Sequence, residues 1–68
     1  MTLGMSIRNR RRDMHLSQKE LAGRLGITVA HVSLMEMDKR FPAWNVVVGL
    51  IRVFGIGVIA DAVSWKEM

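Results

Sequence analysis

Residues 16–42, LSQKELAGRLGITVAHVSLMEMDKRFP, leave the chain few ways to fold. Ser17 with Glu20 three residues on is a capping box. The hydroxyl takes the backbone N–H of residue 20, and the carboxylate reaches back to the N–H of residue 17. Leu21, Ala22 and Leu25 follow at helical spacing. Gly26 then supplies the left-handed residue on which a helix most easily ends. After Ile27, Thr28 offers a second cap, and Val32 and Met35 fall on one face of a second short helix. Pro42 cannot sit inside a helix, so the next one starts at or after it.

The flanking segments add two further helices. Over residues 3–14, Leu3, Ile7 and Met14 lie near one face, with Arg8, Arg10, Arg11 and Arg12 on the others. Successive helical residues point ~100° apart, so Arg10, Arg11 and Arg12 cannot all face one way. Some should face solvent or a polyanion, and at least one the protein. Residues 13–16 form the turn out of this helix, with His15 as a turn residue. From residue 43, the apolar set Ala43, Val46, Val47, Leu50, Ile51 and Phe54 traces a complete helical face. The run Val46-Val47-Val48-Gly49 opposes a helix by a few tenths of a kcal/mol per residue, less than the buried face contributes. The period therefore predicts a helix over 43–54.

Beyond Gly55 the pattern changes. Residues 56–63 are rich in β-branched and small side chains, and Val58, Ala60 and Ala62 alternate with Ile59, Asp61 and Val63. This predicts a C-terminal strand over about 56–63. A fifth helix over about 57–66, packing through Val58, Ile59, Ala62 and Trp65, is the alternative. The fold class expected is mainly α: four helices at about 3–14, 17–25, 28–37 and 43–54, followed by that strand.

Ten Lys and Arg against six Asp and Glu give a net charge of +4, all of it in residues 1–40. The basic half thus contains the paired short helices, and a polyanion is its natural partner. With no cysteine there is neither a disulfide framework nor a Cys-based zinc site. The two histidines lie in different contexts, without metal spacing. No nucleophile–base pair, carboxylate pair or phosphate-cradling glycine loop suggests an enzyme, and no cofactor is expected. The apolar stretch 46–60 is interrupted by Arg52 and falls short of the ~20 residues a membrane span needs. Residues 1–7 lack the basic start of a signal peptide, so the chain reads as soluble and cytoplasmic.

Two short helices on a tight glycine turn are a helix-turn-helix, whose second helix is held out to enter a major groove. The stretch LSQKELAGRLGIT, followed by Val32-Ser33, Glu36, Lys39 and Pro42, resembles the Cro/cI-repressor (XRE) helix-turn-helix family. The resemblance covers residues 7–56 and implies a lambda-repressor-like bundle that binds double-stranded DNA. It implies that Gln18 binds a phosphate and braces the third helix, and that Thr28, Lys39, Arg40 and Arg11 also lie along the DNA backbone. Val29, Ala30, His31, Ser33 and Leu34 occupy the positions of the base-reading surface. Arg11 and Glu36 match a pair that forms a structural ion pair in several members.

Departures from the family pattern narrow the reading. Val29, Ala30 and Leu34 stand where polar readers are common, and they can meet a thymine methyl but cannot hydrogen-bond guanine or adenine. Asp38 replaces the usual helix-ending glycine, and Phe41 and Trp44 are bulkier than is typical. The ending GLIRVFGIGVIADAV is similar to the tail of HipB-like antitoxin regulators, where a strand pairs with its dyad mate. Residues 1–68 are therefore expected to be one DNA-binding domain with a dimerisation segment at 56–68, its interface formed by Ile56, Val58, Ala60 and Ala62. The expected function is a dimeric repressor on a pseudo-palindromic operator. The alternative is a protein-interaction module, such as an antitoxin whose main partner is a toxin.

Overall fold

The computed structural model describes residues 1–62, in which five helices follow one another: α1 (Leu3–Asp13), α2 (Gln18–Leu25), α3 (Val29–Glu36), α4 (Trp44–Phe54) and α5 (Gly57–Ala60). Three of the starts are capped by hydroxyls. Thr2 accepts the N–H of Met5 at 3.1 Å, Ser17 that of Glu20 at 3.0 Å, and Thr28 that of His31 at 3.1 Å. Glu20 completes the capping box by accepting the N–H of Ser17 at 3.0 Å. Gly26 ends α2 at φ 70°, a conformation that costs other residues a Cβ clash.

The core gathers Ile7 from α1, Leu21 and Ala22 from α2, Val32 and Met35 from α3, Val46 and Leu50 from α4, and Val58 from α5. Each helix thus gives one apolar face to a shared interior, and α4 forms despite its β-branched run because Val46 and Leu50 are buried there. Ala43 is its exposed cap residue, without a side-chain hydrogen bond. Met14, expected on the buried face of the first helix, is exposed as the C-cap of α1, and Leu16 is buried just after it.

In place of the expected strand over 56–63, residues 57–60 form a helix. The N–H groups of Ala60 and Asp61 bond the carbonyls of Ile56 and Gly57 at 3.1 and 2.9 Å, and no strand occurs among the described residues. A lone strand would leave a row of backbone groups unpaired, whereas a helical turn pairs them within itself. It also seats Val58, fully buried, against α1 and α4. The Ser6 hydroxyl donates to the Val58 carbonyl at 2.7 Å inside the core, and Arg10 pairs with Asp61 at the rim. The fifth-helix alternative is the one that holds, seen at Gly57–Ala60 among the described residues; Val63 and Trp65 lie outside them.

The N-terminus of α1 meets the C-terminus of α3 at Gly4. A Cβ there would come within 2.6 Å of the Met35 carbonyl and 2.7 Å of that of Glu36, so only glycine permits this approach. Asp38 turns the chain at φ 58°, and its carboxylate accepts the Gly4 N–H at 2.9 Å. Among the described residues the other positive-φ residue besides glycine is His15, at 56°, in the turn between α1 and α2.

Candidate nucleic-acid interface

Helix α3 has a held side and a free side. Val32, Met35 and Glu36 are buried against the bundle, while Thr28, Val29 and Ala30 are exposed at its start. His31, Ser33 and Leu34 are half-buried along its flanks. The Nε2 of His31 is shut away from solvent without a hydrogen-bond partner, so this nitrogen is not offered outward. Of the five residues matched to base reading, then, Val29 and Ala30 are the fully presented ones.

What fixes the angle of α3 is a cluster behind it. Arg11 donates from Nε to Glu36 Oε2 at 2.6 Å and from Nη2 to Oε1 at 3.0 Å, a bidentate pair. Its Nη1 donates to the Leu16 carbonyl at 2.9 Å, and Gln18 Nε2 donates to Glu36 Oε1 at 3.2 Å. The side chains of Arg11 and Glu36 are 11% and 4% exposed. One carboxylate on α3 therefore ties down α1, α2 and the turn between them. The hydrogen bond to Glu36 holds the Arg11 guanidinium above its already high pKa, with burial working the other way.

The structure thus brings together Arg11, Gln18 and Glu36, with Arg11 held by Glu36 at the edge of a surface depression. The exposed cations of α1 are Arg8 and Arg12. They line a shallow depression of about 260 Å³ together with Gln18, Ser33, Met37 and the Arg11–Glu36 pair itself. Lys39 and Arg40 are exposed in the loop after α3. Reasoning from the sequence left Arg8 and Arg12 as undivided members of an arginine run; the register of α1, anchored by Ile7 and Arg11, decides which arginines face out.

The residues assigned to a surface between copies do not share a face. Ile56 is exposed, Val58 is in the core, and Ala60 and Ala62 are half-buried. Val58 is thus used inside the chain, a consequence of helix replacing strand. Among the described residues no group of three His, Asp or Glu side chains could hold a metal ion, and no helix is long and apolar enough to cross a membrane.

A family model described as a helix-turn-helix domain matches residues 2–63. The chain belongs to this helix-turn-helix family. Its members are DNA-binding regulators, in keeping with the Cro/cI-type likeness of α2 and α3, and the match reaches through α5. No curated protein and no solved structure matches the chain. In this helix-turn-helix domain α3 is carried on α2 and braced through Glu36, with its first residues exposed.

Proposed function

We propose that the protein is a sequence-specific, dimeric transcriptional repressor that reads a pseudo-palindromic operator with α3. The observation that carries this reading is the exposed start of α3, Thr28 to Ala30, in a domain whose Arg8, Arg12, Lys39 and Arg40 are also exposed, the first two beside Ser33 of the same helix. Phosphate contacts fix register and base contacts carry sequence information. Arg8, Arg12, Lys39 and Arg40, with Thr28 and the remaining capacity of Gln18, take the first role. Val29, Ala30, Ser33 and Leu34 take the second, meeting thymine methyls and, through the Ser33 hydroxyl, a base edge. His31 contributes little in its present rotamer. Such a reader prefers A·T steps and draws the rest of its selectivity from DNA shape.

Selection of binding sites from random duplex tests this. The expected result is an inverted repeat with half-sites about one turn (~34 Å) apart and thymines opposite Val29 and Ala30. Recovery of no preferred sequence would sink the claim of sequence reading. The apolar character of Val29 and Ala30 also suits a protein-interaction module, such as an antitoxin bound to its toxin. Co-purification of a partner with no shift of any duplex would favour that reading.

A further inference from the structure

The exposed start of α3 is a run of methyl groups. Thr28, Val29 and Ala30 are exposed in succession, each side chain short and ending in a methyl, with Val29 42% exposed. The polar groups around them are largely engaged. The Thr28 hydroxyl accepts the His31 N–H at 3.1 Å, and Gln18 Nε2 donates to Glu36 at 3.2 Å. The Nε2 of His31 is shut away from solvent. Within the helix itself Ser33 brings the one hydroxyl, half-buried beside Arg8 and Arg12.

We infer that α3 recognises the C5 methyl group of a pyrimidine, so that 5-methylcytosine serves in place of thymine and the domain reads cytosine methylation. This rests on the DNA-binding reading above and narrows what it recognises to the methyl group, whichever base pair carries it. In the major groove thymine differs from cytosine twice: O4 accepts where the cytosine N4 amino group donates, and thymine alone carries the C5 methyl. Telling O4 from N4 takes a polar group aimed at that edge, whereas a methyl needs only an apolar surface. The start of α3 offers the apolar surface. 5-Methylcytosine holds its methyl at the same ring position as thymine, so Val29 and Ala30 meet both alike.

Size and charge point the same way. Short side chains let the helix start approach the base edges closely, where a long one would hold it off. Arg8 and Arg12, exposed beside Ser33, can fix the helix on phosphates without help from base hydrogen bonds. Burying one methyl then changes affinity about 4-fold. A site gains occupancy when one of its cytosines carries the mark, with no change of sequence.

Two pools of random duplex test this on the full chain, one built with thymine and cytosine, the other with uracil and 5-methylcytosine. The first should return sites with thymine at one or more fixed positions. The second should return the same sites with 5-methylcytosine at those positions. Anisotropy then compares four versions of the best site at one such position. The T·A and 5-methylC·G forms should agree within ~2-fold, and the U·A and C·G forms should both bind about 4-fold more weakly. A Val29→Ser/Ala30→Ser protein, altered only at exposed positions, should keep the wild-type helical circular dichroism and lose this ranking. Val29→Thr, which retains a methyl, should keep it. A U·A form as tight as T·A, or a 5-methylC·G form no tighter than C·G, overturns the proposal. So does a double variant that still ranks the four, or a wild type that selects no preferred sequence. Salt-sensitive binding without ranking leaves the DNA reading in place, and absence of salt-sensitive binding to either pool sinks both.

Discussion

Glu36 accepts three hydrogen bonds from two other helices through one carboxylate. Changing it to Gln strips the countercharge from an arginine that is itself 11% exposed. Breaking such a pair from one side leaves a poorly hydrated charge, and we expect Glu36→Gln to destabilise the domain by about 3 kcal/mol. Arg11→Met should cost a comparable amount, and the double variant clearly less than the sum, as coupled partners do. Urea unfolding of the four proteins measures it, and strictly additive losses would disprove the coupling. Glu20 behaves differently because it is fully exposed. Hydrogen bonds from the Ser17 backbone and then its hydroxyl hold its carboxyl below the usual range. A lowered folded pKa gives stability that is present above the ordinary glutamate value and lost as pH falls through the folded one. Glu20→Gln should accordingly lower stability slightly at neutral pH and flatten the acid limb, so that the two stability–pH curves converge at low pH.

At the scale of elements, α5 is held by one buried core residue and one buried hydroxyl. Ser6→Ala leaves the Val58 carbonyl buried without its donor, at a cost of about 1–2 kcal/mol. Amide exchange should quicken first at Asp61 and Ala60, whose N–H groups close this turn. Truncation before residue 57 removes Val58 from the core, so the shortened chain should lose its cooperative melt. A folded, stable monomer after that deletion would contradict the packing described. How legible these elements were follows from how local their causes are. The capping box, the Gly26 stop and the α4 period lie within a few residues of what they determine, and α2, α3 and α4 could be placed from them. Helix α5 owes its form to Ser6, 52 residues away in sequence, and to its packing on α1 and α4 through buried Val58. Its own β-branched, alternating residues point toward a strand, and nothing nearby in the chain overrides them.

For the whole molecule, the charge asymmetry between residues 1–40 and the remainder sets how binding should respond to salt. Wild-type affinity for any duplex should fall steeply with ionic strength, and Lys39→Ala should weaken all sequences alike while reducing the log–log slope by about one unit. A Lys39→Ala protein whose loss was confined to one preferred sequence would show that Lys39 reads bases instead. The candidate site was legible in part for the same reason as the helices. Composition located the basic half, and the α2–α3 motif located the helix whose first residues stand exposed. Which arginines point outward depended on the register of α1 against α3. There Gly4 and Asp38 meet across 34 residues, and no local pattern encodes that contact.

The two sides of α3 have separate duties. Val32, Met35 and Glu36 carry its attachment to the bundle, and Val29 and Ala30 touch nothing the fold depends on. A lineage carrying this domain can therefore exchange the outward residues of α3 one at a time without passing through unfolded intermediates. If the proposed role of α3 holds, target preference and foldedness are inherited through different codons, and the domain can acquire a new operator while its architecture stays under constant selection.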